Sequence, residues 1–220
     1  MYDLRVDTSA TGDAYVNYVN FESLVYDGCM DKNIGEDLYS HFTVIDGSRL
    51  VFRSKMNQED DEEDDIVNSG IHCDITRVDV IVGKYSEIAN EFDNHTIVKF
   101  DSDVESTVIF KSLEGVEDFL FFEVERGDKY CIKSSAFLAS DYTVKYKAGN
   151  IPDTMFLAGE GTCVLTYNAT NRLLLINLNS DVCDVKRENL LLWDTKLSVY
   201  YDKVKDMFKF SGSGCVYCIV

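Results

Sequence analysis

The strongest constraint on this chain is a repeat in its last ninety residues, where a module of strand, turn and strand is written twice. Residues 134–140 (Ser-Ser-Ala-Phe-Leu-Ala-Ser) are answered by residues 194–199 (Asp-Thr-Lys-Leu-Ser-Val), and residues 156–164 by residues 210–216. The second pair shares a Gly-x-Gly, Gly159 with Gly161 in one copy and Gly212 with Gly214 in the other. Self-similar modules bury their apolar faces against one another, so the repeat predicts architecture before it predicts chemistry.

The residues between and around the modules are strand formers. One proline and thirteen glycines stand against thirteen Tyr and thirteen Phe, with Val and Ile in short runs parted by polar turns. Strands are expected at 14–19, 41–45, 49–54, 75–82, 96–100, 106–110, 119–124, 129–133, 142–147, 161–167, 173–178, 190–194, 197–201, 207–211 and 214–219. Helix signals are sparse. Ile88, Ala89 and Phe92 have helix-like spacing within 86–92, and single turns are expected at 22–26 and 34–39. The expected fold is all-β, a duplicated sandwich or barrel-like unit of two similar halves with very little helix. An N-terminal half, 1–110, carries an acidic loop at 58–66, and a C-terminal half, 111–220, packs with it as one unit.

Charge narrows the partners. Thirty-nine acidic and twenty-one basic residues give a formal charge of -18. Nucleic-acid affinity rests on Lys and Arg displacing condensed counterions, so nucleic acid is not expected as a partner, and anionic membrane surfaces are disfavoured in the same way. Seven consecutive acids at 59–65 repel one another and read as a solvated loop, with docking of a basic protein as the functional alternative. An EF-hand loop needs a turn glycine that this run lacks.

The seven cysteines, an odd number at scattered positions, do not resemble a secreted disulfide framework, and Cys131, Cys163 and Cys183 read as small reduced core residues. The first residues carry no secretory or transit signal, so a cytoplasmic location is expected, and the sequons at Asn94 and Asn168 carry no weight there.

No motif yields a chemistry. Cys215-Val216-Tyr217-Cys218 is a C-x-x-C, yet in a strand side chains three apart project to opposite faces and cannot share a metal. Neither Gly-x-Gly opens a helix or continues into a phosphate loop, so both read as places of bulging or close backbone packing. His41, His72 and His95 lie far apart, and His72-Cys73-Asp74 alternates faces as a strand, which makes it a poor chelate. No G-x-S-x-G elbow occurs. Aromatics such as Tyr15, Tyr18, Phe119, Phe121, Tyr200 and Tyr201 have acidic or apolar neighbours, unlike a base-stacking platform. No catalytic, cofactor-binding or metal-binding residue is assigned, and no cofactor is expected.

Residues 125–140, the Phe156-Leu157-Ala158-Gly159-Glu160-Gly161 turn, Leu190-Leu191-Leu192-Trp193-Asp194 and residues 210–217 together resemble the altered-inheritance-of-mitochondria family twenty-four, over roughly 119–220. The resemblance implies a duplicated β-sandwich related to the tryptophan-RNA-binding attenuator fold, with self-association and no catalytic residues to carry over. The acidic loop and the loosely matching first half depart from the family's pattern. The expected function is therefore a non-enzymatic β-rich scaffold or binding module, a homo-oligomer. The alternative is a small-ligand-binding protein or enzyme with a pocket between the two halves. The final strand, with Val216, Ile219 and Val220 and no charge, is expected inside a sheet or at a subunit contact.

Overall fold

The computed structural model describes residues 15–18, 42–45, 48–54, 70–89, 95–100, 106–112 and 115–220. The acidic run at 59–65, His41, Cys29 and the turns expected at 22–26 and 34–39 lie outside the described residues. Within them the chain is all-β, its helical content confined to single 3-10 turns, and no helix among them is long and apolar enough to cross a membrane.

The repeat seen in the sequence runs further back than its last ninety residues, because the same succession of strands occurs three times. In the first unit β3 (Arg49–Arg53) and β4 (Gly70–Asp74) lead through a 3-10 turn (Ile75–Arg77) to β5 (Val78–Val82), β6 (Tyr85–Ala89), β7 (His95–Phe100) and β8 (Thr107–Phe110). The second unit has β9 (Glu117–Val124), β10 (Lys129–Lys133), a 3-10 turn (Ser134–Ala136), β11 (Phe137–Asp141), β12 (Lys145–Ala148), β13 (Thr154–Ala158) and β14 (Gly161–Asn168). In the third, two long strands each do the work of two: β15 (Leu173–Lys186) enters a 3-10 turn (Arg187–Asn189), then β16 (Leu190–Asp194), β17 (Ser198–Asp202) and β18 (Met207–Ile219) follow. Two further strands, β1 (Tyr15–Tyr18) and β2 (Phe42–Ile45), add to β15 and β3.

Ladder pairing obeys one rule in each unit. The strand before the 3-10 turn pairs with the fourth strand after the opening one, as β4 with β7, β10 with β13, and β15 with β18. The strand after the turn pairs with the last, as β5 with β8, β11 with β14, and β16 with β18. Each of those three contains a register shift at the same place, between its first and third residues: Val78/Val80, Phe137/Ala139 and Leu190/Leu192. A bulge at equivalent positions bends each of these strands and increases its local twist.

Hydrogen bonds accepted by aspartates hold the turns. Asp74 Oδ1 accepts from the Thr76 amide at 3.0 Å and from its hydroxyl at 2.6 Å, capping the first. Asp153 and Asp206, both with left-handed backbones (φ 59 and 51), hold the other two, their carbonyls accepting from the Ser134 and Arg187 amides. Aspartate tolerates that conformation better than most residues.

The units build three sheets by lending strands to one another. One sheet runs β6-β7-β4-β11-β14-β9, another β12-β13-β10-β16-β18-β15-β1 with β17 on β18, and the third β2-β3-β8-β5. Three buried clusters fill the space. The first joins Phe52, Phe100 and Phe110 to Leu138, Ala139 and Val164 of the second unit. The next joins Phe137, Met155 and Leu165 to Leu191 and Leu192 of the third. Trp193 packs on Phe208 and Phe210 in the last, at centroid distances of 5.4 and 5.6 Å. Apolar side chains from either side of residue 110 thus share one core.

Three local expectations are corrected. Of the short helix expected over 86–92, the described residues 86–89 belong instead to strand β6, laddered to β7, and the gain from pairing outweighs a weak helical spacing. Residues 75–82 divide into a 3-10 turn and β5 rather than one strand. The Gly-x-Gly correspondence holds, but residues 194–199 do not answer 134–140. Ser134–Ala136 corresponds to Arg187–Asn189, the turn that sequence comparison could not match because the two share no side chain.

Candidate interaction site

The junctions between units define the site. Strand β4 of the first unit pairs with β11 of the second through Cys73–Ala139, His72–Ser140 and Ile71–Asp141. Strand β10 of the second pairs with β16 of the third through Ile132–Leu192, Cys131–Trp193 and Tyr130–Asp194. Among the described residues no third junction forms: β5 pairs only with β8, and the 181–186 part of β15 pairs only with β18. Among the described residues no strand lies on either of the two edges that are closed at the other junctions.

Strand β5, Val-Asp-Val-Ile-Val, presents its open edge together with apolar side chains. Val80 is 43% exposed, Val82 57% and nearby Tyr85 44%, whereas Ile81 packs against the first core. Its one charge, Asp79, lies within the bulge. Edge strand β12 is different: Lys145 and Lys147 alternate with Tyr146, and lysine on an edge deters pairing with other chains. Those lysines and Lys129 line a shallow groove of about 320 Å³ floored by Phe156, Leu157 and Ala158. A second concavity of about 440 Å³ lies at the Ile151-Pro152-Asp153 turn. Both are lined by residues between 129 and 195.

Buried polar side-chain atoms lie at the first junction, and on β15 at Asp181 and Asp184. His72 on β4 is 2% exposed, and neither ring nitrogen has a hydrogen-bond partner among the described residues. Its ring stands edge-on to Tyr142 at 5.5 Å and Tyr146 at 4.8 Å, while His95 on β7 packs on Phe137 at 4.8 Å. Over Tyr142 lie the ammonium groups of Lys145 (4.1 Å) and Lys99 (4.9 Å). Burial first, then the positive fields of Lys145 and His95, lower the pKa of His72 to about 4. Asp141 is its counterpart. Its Oδ2 accepts from the Thr162 amide at 2.7 Å, yet burial still raises its pKa to about 6.

These groups make opposite contributions to acid stability. A histidine kept neutral in the fold but protonated in the unfolded chain costs stability as pH falls from 6.5 toward 4, because the unfolded state takes up the proton first. Asp141, taking up its proton in the fold before the unfolded chain does, favours the fold over the range from about 6 down to 3.8. Replacing His72 by Phe leaves Asp141 in place, so the difference between variant and parent isolates the histidine. Urea unfolding at pH 7 and pH 4 is expected to show the variant gaining about 3 kcal/mol relative to the parent on acidification. Parallel pH curves would refute a buried neutral His72.

The other motifs fall into place as packing. Cys215 and Cys218 lie on β18, where Cys218 is buried in the third core and Cys215 is half-buried on the other face. Cys131, Cys163 and Cys183 are buried free thiols, and burial raises all three, Cys131 and Cys183 to about 12. Gly161 and Gly214 sit against the aspartates that end β11 and β16: a Cβ on Gly161 would come within 2.9 Å of Asp141 Cβ, and one on Gly214 within 3.3 Å of Asp194 Cβ. His72 and Cys73 face opposite ways, toward Tyr146 and into the first core. Among the described residues no three His, Cys, Asp or Glu side chains group as a metal site. Sequence reasoning placed Val80 and Val82 in a strand but could not show that it is an edge. The one available signal was an apolar strand without lysine.

No protein-family model and no curated protein matches the chain, so the resemblance drawn above rests on its motifs alone. The fold is similar to the crystal structure of protein SPYM3_0169 from Streptococcus pyogenes, with a TM-score of 0.61 at 13% identity over 80% of this chain and 91% of that one. At that identity the likeness concerns fold.

Proposed function

We propose that this protein is a non-enzymatic β-rich scaffold or binding module that works by associating with copies of itself. The open edge of β5, apolar and without lysine, carries the reading, since an edge strand with free amides and carbonyls is a template for another strand. The guarded edge of β12 supports it by contrast, and the buried, inward placement of the polar groups suits a structural part better than a reaction centre. The resemblance to family twenty-four points to the same class.

Native mass spectrometry across about a hundredfold range of protein concentration is the test. Species heavier than the 25.0 kDa chain are expected to grow with concentration. Changing Val82 to Lys should weaken association about tenfold or more, equivalent to about 1.4 kcal/mol. A chain that stays monomeric throughout the range overturns the reading.

A further inference from the structure

We propose that the open edge of β5 in one molecule pairs with residues 181–186 of β15 in a second copy, head to tail, in a register that the chain's own two junctions define. This rests on the self-association reading above and names its surfaces.

The register follows from the repeat. In both closed junctions the residue two before one unit's 3-10 turn faces the residue three after the next unit's turn: Cys73 with Ala139, and Ile132 with Leu192. Applied to the turn at Arg187–Asn189 and the turn at Ile75–Arg77, the same rule sets Val185 opposite Val80, Asp184 opposite Ile81 and Cys183 opposite Val82. Strand β5 has the shape for it, because its bulge at Val78/Val80 is the one that bends β11 and β16 into their junctions.

Burial agrees with that register. Cys73 and Ala139 share the first core, and Ile132 and Leu192 the second. Val185 and Cys183 already lie in the third core, whereas Val80 and Val82 are exposed. Pairing would bring those valines to the third core as Ala139 and Leu192 are brought to theirs, removing apolar surface from water. Asp184 would stand where His72 stands opposite Ser140, a place that already holds a polar side chain in the first junction.

The occupant is a second copy because each molecule carries one edge of each kind and, among the described residues, its own two do not pair. One surface meeting a different surface of the next molecule is a heterologous contact, which closes into a ring or continues as a chain.

Cysteine cross-linking tests the register directly, because Cys183 is native. A Val82→Cys variant is prepared as a mixture of ordinary and nitrogen-15-labelled chains and treated with diamide, which accepts the two electrons and two protons released when a disulfide forms. Peptide mass spectrometry then reads the linked pair. The expected product joins residue 82 to residue 183 with half of its molecules of mixed isotope, and it falls at least tenfold in the Val82→Cys, Cys183→Ser chain. Val80→Cys with Val185→Cys, one step along the same register, provides a second readout if Cys183→Ser does not fold. A linked pair of a single isotope means closure within one chain and overturns the proposal. So does a link between two residues 82, or no link while native mass shows oligomers; in those cases self-association stands and the head-to-tail register falls. A strictly monomeric parent chain removes both.

Discussion

Deleting residues 214–220 is expected to leave an insoluble or unfolded product. The second half of β18 is central to its sheet, with Leu173 through Leu178 of β15 on one side and β16 on the other. Val216 and Cys218 are fully buried in the third core, and Tyr217 and Ile219 pack against the second. The chain end is also tied back, since Val220 exchanges both backbone hydrogen bonds with Arg172 at 2.8 and 2.9 Å. Losing that strand removes two ladders and parts of two cores. Single large core truncations cost about 2–5 kcal/mol, and whole domains hold only about 5–15 kcal/mol, so the loss exceeds what the fold can absorb. Circular dichroism of the soluble fraction decides it: a soluble product with the parent's β spectrum and cooperative melt would refute the central role of this strand.

Gly159→Ala is expected to destabilise the fold by about 3 kcal/mol or more, lowering the melting temperature by roughly 6–12 °C. A Cβ there would lie 2.4 Å from the carbonyl oxygen of Thr143 and 3.2 Å from Val144 Cα, and the backbone has φ +129. Both obstacles are main chain, and Val144 is itself fully buried, so neither can move cheaply. Gly127→Ala separates clash from conformation. Its φ is +100 but nothing lies within 4 Å, so it should lose only the conformational part, about 1–2 kcal/mol. Calorimetry on the two variants tests the difference, and equal losses would mean that the contact with Thr143 contributes nothing.

Much of this fold is legible without coordinates, and the reason is visible in particular strands. Residues 161–167 and 173–178 alternate or run apolar over a length that suits a strand, and both are strands. The Gly-x-Gly pairs read as close-packing devices because nothing after them could open a helix, and Gly161 against Asp141 is such a contact. Strand geometry was one reason to set the C-x-x-C aside, and Cys215 and Cys218 do face opposite ways. The first copy of the repeat was not legible. Its turn, Ile75-Thr76-Arg77, matches neither Ser134-Ser135-Ala136 nor Arg187-Glu188-Asn189 at any equivalent position, because what the three have in common is a backbone path. His72 was equally opaque, since its pKa is lowered by burial first and then by the charges of Lys145 and His95, and the tyrosine rings packed against it, Tyr142 and Tyr146, are seventy or more positions away in the chain.

By itself, then, the sequence determined the strand class, the acidity, the free core thiols and the presence of a repeat, all of which follow from local composition and a period of two. The first copy of the repeat, the junctions and the identity of the edge strand were decided only by tertiary structure. Whether a strand such as Val78–Val82 is central or edge depends on which distant backbone reaches its amides, and no property of the five residues themselves encodes that.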